Sequence, residues 1–413
     1  MKKTFFKLTP SKEVFEIIDR FPQIEGSEEV EIEESLGRIL SKDIYSPSDM
    51  PGFLRATMDG FAVKAKDTFG ASPALPAILK VKGEIKMGEI PSIRINDGEA
   101  AKISTGGMLP EGADGVVMIE YCHFIDEDTI EVERAISPLE NVMQPDDDIK
   151  KGEIVLRRGR RIRPQDIGAL AGLGIRKIEV FRKVKVAIIS TGDEVIPIDK
   201  EPRPGQVRDI NRYTLSSLCR AVGAEPIFLG ICPDRFDMLK RTVEKGLEIS
   251  DTVWISGGSS VGVRDLTLSV LDSISGFELL VHGIAISPGK PTIIGKVGKK
   301  PIIGLPGQVS SAFIVAEVFL SRLLRRLSGE EFLDVDTTID AIMKRNIESA
   351  TGREDYIRVR LIKEGEKIYA DPVIGKSGLI SPLVEADGLV RIDMNKEGLY
   401  KDEKVKVIPF ISK

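Results

Sequence analysis

The stretch that decides the fold of this 413-residue chain is VKVAIISTGDE, residues 184–194. Its first seven residues form a mostly apolar run, and similar runs follow at Pro226–Ile231 and Asp251–Ser256. Segments with apolar residues at helical spacing separate the runs, the first of them Asp209–Val222. Apolar runs that are flanked by glycine and alternate with helices are typical of a parallel sheet buried on both faces. We therefore predict a doubly wound α/β domain over residues 183–328.

The texture of the sequence changes on both sides of this domain. Residues 8–42 show helical spacing, whereas residues 46–144 are rich in glycine and proline with short apolar runs, which indicates a β-rich module. After residue 328 apolar and polar residues alternate, as in Tyr356–Leu361, where Arg358 and Arg360 point away from the apolar side chains. The expected organisation is a discontinuous mixed α/β domain (1–45 and 145–182), an inserted β-rich domain (46–144), the α/β domain (183–328) and a small C-terminal β domain (329–413).

Composition excludes several classes of protein. The chain is 42% hydrophobic and 30% charged with a net charge of −5, so it has no general basic surface for nucleic acid. No apolar run approaches the length of a membrane span and no signal-type segment follows Met1–Thr9, so we expect a soluble cytoplasmic protein that does not bind membranes. The three cysteines are scattered and there are two histidines, which leaves acid–base and metal chemistry to carboxylates.

Glycine-rich loops with hydroxyl side chains follow three of the apolar runs. Ser190–Glu194 follows the first run, Ser256–Gly262 follows the third, and Gly304–Ser311 follows a later apolar run. In a doubly wound sheet, ligands bind beyond the carboxyl ends of the strands, where glycine lets the backbone approach them and helix N-termini offer free N–H groups. None of the loops fits the Walker pattern or the dinucleotide fingerprint. Three such loops on one sheet edge indicate a cradle for an anion, most naturally a phosphate.

Carboxylates accompany these loops. Asp193 and Glu194 end the first loop, Asp234 follows the second run, and Asp265 follows the third. Asp234 and Asp265 are also well placed to cap helices, and this alternative stays open. Acids around a phosphate require a divalent cation between them, and oxygen ligands with phosphates are the usual surroundings of Mg²⁺. The pattern therefore favours a Mg²⁺-assisted reaction at a phosphate, with Lys290, in a loop bounded by prolines, as a positioned cation.

Further motifs recur in order along most of the chain. They are Asp49-Met50-Pro51, Met58-Asp59-Gly60-Phe61-Ala62-Val63, Thr105-Gly106, Pro110–Asp114, Val116–Met118, Ser190–Glu194, Ser256–Asp265, Pro288–Pro291 and Gly304–Gly307. Together they resemble the molybdopterin molybdenumtransferases, the family of the bacterial MoeA proteins and the E domain of gephyrin. The resemblance implies four subdomains, with a MoaB-like molybdopterin-binding fold for residues 183–328. It also implies an elongated homodimer whose active site lies in a cleft shared between protomers, with the discontinuous domain serving as linker and dimerisation domain.

The resemblance further implies a reaction and its participants. Adenylated molybdopterin and molybdate, or tungstate, are the substrates. Mg²⁺-dependent cleavage releases AMP, and the metal is transferred to the dithiolene sulfurs. Besides these small molecules, the implied partners are the molybdopterin adenylyltransferase and acceptor molybdoenzymes.

Roles for individual residues follow from the same resemblance. Asp234 and Asp265 would hold the metal at the phosphoanhydride, and the further catalytic carboxylates would be Asp59, Asp148 and Glu194. The implied substrate-binding residues are Thr105 from the β-rich domain, the loop residues Ser190, Thr191, Gly192, Gly257, Gly258, Ser259 and Pro306, and, for molybdate, Lys290, Ser311 and Arg358.

The chain departs from the family pattern near the oxyanion site. Ser287 and Gly283 stand where the family usually has lysine, and Val309 stands where it commonly has proline. Each missing cation would weaken an oxyanion site by about 1 kcal/mol or more. The alternative to an enzyme is therefore a carrier of molybdopterin or of the cofactor, or a specialised paralogue that lacks the insertion step. A gephyrin-like scaffolding role is a third possibility.

Overall fold

A computed structural model of the protein describes residues 8–257, 261–331 and 338–410, with only the backbone for residues 261–265. In this part of the chain, no helix is long and apolar enough to cross a membrane.

The predicted α/β domain is built on a mixed sheet. Across this sheet the described strands are, in spatial order, Glu225–Cys232, Lys185–Thr191, Thr252–Ser256, Lys300–Leu305, Ile293–Val297 and Phe277–His282. Neighbours among the first four run parallel, so the three predicted runs end at one edge of the sheet. The last two strands pair antiparallel with their neighbours, which was not predicted. Ile293–Val297 and Lys300–Leu305 are joined by a short turn, and such a turn can connect only antiparallel strands.

Helices cover both faces of this sheet, which confirms the α/β prediction. Ile188 packs in one core with Leu215, whereas the neighbouring Ile189 packs in another core with Val243 on the opposite face. Successive side chains of a strand point to opposite faces, so a continuous apolar run is what a sheet covered on both sides requires. The described helices are Ser11–Asp19, Pro164–Gly172, Asn211–Val222, Phe236–Ile249, Val261–Asp272, Val309–Val315, Ser321–Leu327 and Ser381–Val384, with a π-helical turn at Ala316–Leu320 and 3₁₀ turns at Ile32–Glu34, Ala65–Thr68 and Ile119–Tyr121.

The N-terminal helix contributes to the core of the α/β domain. Val14 and Ile18 are fully buried in that core, and the Arg322 guanidinium donates through Nε to Asp19 Oδ1 at 2.8 Å. The expected discontinuous domain would have included this helix. The domain boundaries given above stay predictions.

Part of the remaining segment within residues 8–42 forms a strand instead of the expected helix. Ser27–Glu31 is a strand that pairs antiparallel with Lys177–Phe181, so the helical expectation was wrong there. Its partner lies far along the chain, and side-chain packing across such a pair outweighs local spacing. A second ribbon joins Ile44–Tyr45 to Ile154–Leu156.

Residues 46–144 contain the predicted β-rich module. Its described sheet has the spatial order Gly115–Met118, Gly60–Val63, Glu99–Ile103, Ala77–Ile85, Thr129–Val132 and Cys122–Phe124. Phe61 packs in one core with Leu79, and Ala62 packs in a second core on the other face. The chain enters and leaves the module through paired segments, Arg55–Ala56 with Val142–Met143.

The C-terminal β domain is a closed barrel. Glu354–Glu364 pairs with strands on both of its sides, which closes the ring. Around the barrel the described strands are Glu354–Glu364, Lys367–Pro372, Ile339–Met343, Lys404–Pro409 and Gly388–Ile392, with a separate ribbon of Ile347–Glu348 and Gly398–Leu399. Ile286–Ser287 of the α/β domain pairs parallel with the start of Glu354–Glu364 and so anchors the barrel beside the loops at the sheet edge.

Candidate functional site

A cavity of about 250 Å³, here called the Ser190 cavity, opens at the carboxyl ends of the parallel strands. Ser190 and Ser256 lie opposite each other at the ends of neighbouring strands. A short parallel ribbon, Val195–Ile196 with Val207–Arg208, forms one side. Residues from all three predicted loops line the cavity, so the folding of the sheet brings the loops together as expected.

Glycines let the backbone segments approach each other closely at this edge. A Cβ atom at Gly257 would lie 1.9 Å from Thr191 Oγ1 and 2.4 Å from the Thr191 carbonyl oxygen, so no side chain fits there. Gly192 has a φ of +139°, a conformation that other residues rarely adopt. Gly192 and Gly257 thus have a conformational and a steric reason, respectively, to be glycine.

Asn211, the first residue of its helix, ties two of the loops together. Its Nδ2 donates to Ser256 Oγ at 2.7 Å and to the Gly307 carbonyl at 2.9 Å. Asp209, two residues earlier, accepts the Arg212 N–H through Oδ1 at 3.0 Å, as a helix-capping carboxylate does. Both residues line the Ser190 cavity, and neither was predicted as a site residue. Asp209 sits at the start of a predicted helix, where an acid is ordinarily explained by capping alone.

Several buried polar atoms around the cavity have no hydrogen-bond partner among the residues that the structure describes. They are Ser190 Oγ, Thr191 Oγ1, Asp209 Oδ2 and Asn211 Oδ1. More than nine in ten buried polar groups in folded proteins find a partner, and an unpaired one costs about 1–3 kcal/mol. Four such atoms around one cavity are the expected signature of a site for a polar ligand.

The carboxylates form a negatively charged group beside this edge. Burial raises the pKa of Asp234, and the nearby charges of Asp193 and Glu194 raise it further. Asp234 Oδ1 is buried and has no hydrogen-bond partner among the described side chains and backbone, and the Asp234 N–H donates to Asp193 Oδ1 at 3.3 Å. Oxygen donors crowded with like charge fit a hard divalent cation such as Mg²⁺.

The predicted metal pair cannot be seen in full, because the Asp265 side chain lies outside the described residues. The predicted residues Gly258 and Ser259 lie outside them as well. Among the side chains that are described, no three His, Cys, Asp or Glu residues are arranged to hold a metal ion by themselves. Asp234 and Asp265 as metal ligands therefore stay a prediction.

The loop that carries Lys290 has a closely packed backbone. A Cβ atom at Gly289 would lie 2.5 Å from Val315 Cγ2, and the φ of Gly289 is +118°. The Lys290 carbonyl accepts the Ile284 N–H at 3.0 Å, while the Lys290 side chain is exposed. The loop thus presents a cation from a fixed backbone, as the prolines suggested.

Arg358 links the barrel to the helix that starts beside the cavity. This side chain is 9% exposed, and it donates through Nη1 to Ser310 Oγ at 2.9 Å and through Nη2 to the Gly375 carbonyl at 2.6 Å. Burial lowers the pKa of its guanidinium, which nevertheless stays protonated. The neighbouring Ser311, a predicted molybdate-binding residue, is buried, and its role stays a prediction. Pro306 is buried at the end of its strand.

A second cavity, of about 330 Å³, lies where the barrel meets the α/β domain. It is lined by Arg358 together with Ser287, Pro288, Glu348 and Asp355, among others. Among the described residues that line this cavity, one is a cation, Arg358, and two are carboxylates.

The predicted residues of the inserted domain form a separate group. The Thr105 N–H donates to Asp59 Oδ1 at 2.6 Å, and this hydrogen bond lowers the pKa of the Asp59 carboxyl. Asp148 is exposed, and its N–H donates to the Met50 carbonyl at 3.1 Å. None of these three residues lines the Ser190 cavity of the same chain. Their roles stay predictions.

Sequence models of known families match three consecutive parts of the chain. The MoeA N-terminal region (domain I and II) matches residues 9–174, a probable molybdopterin binding domain matches residues 187–326, and the MoeA C-terminal region (domain IV) matches residues 340–410. The chain belongs to the MoeA family. The predicted family resemblance is therefore confirmed.

Relatives of known name agree with membership of the MoeA family. The chain is 37% identical to a putative molybdopterin biosynthesis protein of Methanocaldococcus jannaschii over 92% of this chain and 91% of that protein. It is 31% identical to the molybdopterin molybdenumtransferase of Haemophilus influenzae over 95% of this chain and 96% of that protein.

Solved MoeA structures share the fold over nearly the whole chain. A molybdopterin biosynthesis MoeA protein from Pyrococcus horikoshii superposes with a TM-score of 0.81 at 40% identity, covering 98% of this chain and 99% of the other. Another MoeA structure, from Pyrococcus horikoshii OT3, gives a TM-score of 0.85 at 32% identity, covering 98% of this chain and 100% of the other. The MoeA fold thus accounts for all parts of the described architecture.

Proposed function

We propose that this MoeA-family protein is a molybdopterin molybdenumtransferase. It takes adenylated molybdopterin and molybdate or tungstate, and it releases AMP in a Mg²⁺-dependent reaction. The observation that carries the proposal is the set of unpartnered buried polar atoms around the Ser190 cavity, next to the crowded carboxylates. A polar substrate with a phosphoanhydride would form hydrogen bonds with these polar atoms, and a cation would neutralise the carboxylates.

The carboxylate group is the proposed position of the phosphoanhydride. Asp234 and Asp265 would hold Mg²⁺, which supplies positive charge at the phosphate oxygens when bound. Asp193 and Glu194 raise the electrostatic affinity of this position for a cation. The hydroxyl groups of the Ser190 cavity orient the substrate by hydrogen bonds.

The molybdate end is proposed to lie at the second cavity. Arg358 supplies a buried cation whose orientation is fixed by Ser310 and Gly375. Lys290 does not line this cavity, but it follows the lining residue Pro288 by two positions and is proposed to supply a second positive charge from its exposed side chain. Charge-assisted donors of this kind bind oxyanions more strongly than neutral ones.

The direct test is AMP release from adenylated molybdopterin by the purified protein. We expect turnover that requires Mg²⁺ and is stimulated by molybdate or tungstate. Asp234→Asn removes a proposed metal ligand and should lower the rate at least 100-fold while the far-ultraviolet circular dichroism stays unchanged. Loss of the fold in this variant would instead support a purely structural role for Asp234.

A second candidate function is a carrier that binds the pterin and lacks the insertion step. The charges at the second cavity favour it. Among the described residues that line this cavity, Arg358 is the one cation and Glu348 and Asp355 are carboxylates. In addition, Ser287 stands where the family usually has lysine. Tight pterin binding without AMP release under any oxyanion condition would establish the carrier.

We also propose that the protein acts as a cytoplasmic homodimer. Asp59, Thr105 and Asp148 do not line the Ser190 cavity of their own chain, so a shared cleft would give them a role. The solution mass, measured by light scattering, tests this proposal, and a strictly monomeric active protein would contradict it. The adenylyltransferase and acceptor molybdoenzymes remain the proposed protein partners.

A further inference from the structure

One end of the Ser190 cavity presents hydrogen-bond acceptors. Asp209 and Asn211 are 4% and 9% exposed, and Asp209 Oδ2 and Asn211 Oδ1 are buried with no hydrogen-bond partner in the described ranges of the chain. The other polar atoms of these side chains hold them in place, since Asp209 Oδ1 accepts the Arg212 N–H and Asn211 Nδ2 donates to Ser256 and Gly307. Two acceptor oxygens in fixed positions, on side chains that line the cavity, are therefore left to be satisfied.

This end of the cavity does not suit a phosphate. A phosphate oxygen is itself an acceptor, and it would be repelled by the Asp209 carboxylate. Arg208, the neighbouring residue, does not compensate this charge, because its guanidinium pairs with Glu201 at 2.9 Å. A ligand must bring hydrogen-bond donors, N–H or O–H, to satisfy both acceptors.

The remaining walls favour a flat ring. Val195, Val207, Ile210 and Val309 line the same cavity and supply apolar surface. The volume of about 250 Å³ lies below the roughly 300–1,000 Å³ of pockets that enclose drug-sized ligands. The cavity has room for one ring system, and the rest of an adenylated pterin would extend through its open side.

We propose that Asp209 and Asn211 bind the 2-amino-4-oxopyrimidine edge of the pterin ring. The inference rests on the function proposed above and assigns the pterin to this cavity. That edge presents a ring N–H beside an exocyclic amine, so two neighbouring donors meet the two acceptors. Adenine presents an acceptor nitrogen beside its amine and leaves one acceptor unpaired. The phosphoanhydride then lies outside the cavity, toward Asp234.

Asp209→Asn tests the proposal with little change of shape. The Arg212 N–H keeps the amide oxygen at its capping position, so the amide nitrogen takes the place of Oδ2 and turns a donor toward the donors of the pterin. Asp209→Ser keeps an oxygen for the capping bond and removes Oδ2 altogether. Asp234→Asn is the matched control, because it makes the same chemical change outside the Ser190 cavity.

The experiment is a fluorescence titration of the full-length protein with 6-hydroxymethylpterin, with adenosine as competitor and Mg²⁺ alone as a separate titrant. We expect the wild-type protein and Asp234→Asn to bind the pterin with similar affinity. Asp209→Asn and Asp209→Ser should bind it at least 10-fold more weakly, and adenosine should not compete. Circular dichroism and the melting temperature of each variant show that the fold is kept.

Several results would overturn the assignment. They are equal pterin affinity of wild type and both Asp209 variants, no pterin binding by the wild type at millimolar concentration, efficient competition by adenosine, or Mg²⁺ binding that is lost with Asp209. The AMP-release assay separates this inference from the proposed function. If the protein releases AMP but its pterin affinity does not depend on Asp209, only the inference is overturned. If pterin affinity depends on Asp209 but no AMP is released, only the transferase proposal is overturned.

Discussion

Asp234 carries a carboxyl group whose pKa is raised by burial and by the negative charges of Asp193 and Glu194. The ionised form is therefore less favourable in the folded protein than in the unfolded chain. By linkage, this group contributes stability at low pH, and that contribution is lost as the pH rises through the folded pKa. A carboxylate with a raised pKa therefore lowers the stability of the ligand-free protein at neutral pH.

Asp234→Asn should accordingly raise the melting temperature of the ligand-free protein at pH 7.5. The gain should shrink as the pH falls toward the ordinary pKa of an aspartate, because the wild-type carboxyl is then protonated and uncharged. Differential scanning calorimetry between pH 4 and pH 8 measures this. Asp251→Asn is the opposite control, since Asp251 is bound by Arg182 and its pKa is lowered, so its loss should destabilise the protein at neutral pH. A lower melting temperature for Asp234→Asn at pH 7.5 would contradict the prediction.

Two neighbouring strands end so close together beside the Ser190 cavity that Gly257, directly after one of them, leaves no room for a side chain next to Thr191. At Gly257, even a methyl group would overlap Thr191 Oγ1 and the Thr191 carbonyl. Gly257→Ala should therefore push the two strand ends apart, at a cost of about 1–3 kcal/mol in the free energy of unfolding, and should weaken pterin binding. Chemical denaturation and the fluorescence titration measure the two effects.

Gly168→Ala is the matched control for this substitution. Gly168 lies in the helix Pro164–Gly172 with no atom within 4 Å of the added Cβ, so alanine should stabilise the protein by about 0.5–1 kcal/mol. If Gly257→Ala were as harmless as Gly168→Ala, the close approach at the cavity would have no energetic importance.

Elements of the α/β domain were predictable because each carries its own periodic signal. The run at residues 184–190 and the stripe of the helix Phe236–Ile249 are both short-range patterns. Ser27–Glu31 was not predictable, since its strand pairing depends on Lys177–Phe181. The antiparallel strand Ile293–Val297 depends likewise on a neighbour reached through a turn.

Arg161 connects three separate parts of the molecule. Its guanidinium donates to the Gly37 carbonyl at 2.9 Å, to the Val222 carbonyl at 3.1 Å, and to Glu330 at 2.9 and 2.6 Å. Glu330 follows the last helix of the α/β domain, and its side chain is 8% exposed. A planar fork with several donors is needed to serve all of these acceptors at once.

Arg161→Ala should lower the free energy of unfolding by about 2 kcal/mol. Breaking a fully buried ion pair costs roughly 3–5 kcal/mol. The smaller value is expected because the Arg161 side chain is 30% exposed. The parts it joins should also unfold less cooperatively, which calorimetry would show as a broadened or split transition. Arg176→Ala is the control, because Arg176 is 84% exposed in its pair with Glu31 and its loss should cost less than 0.5 kcal/mol. An equally small effect for Arg161→Ala would show that the junction does not depend on this side chain.

The sequence by itself determined the class of fold, the family and the three loops of the site, because periodicity and motifs are local properties of the chain. It also pointed to Asp234, through the carboxylates that follow the strands, and to Arg358, through the family resemblance. Only the tertiary structure decided that Asp209 and Asn211 line the cavity and that Ser310 contacts Arg358. These contacts join residues far apart in sequence. Whether an acid caps a helix or receives a ligand depends on which of its oxygens is left unpaired, and that is settled only when the strands, helices and barrel pack together.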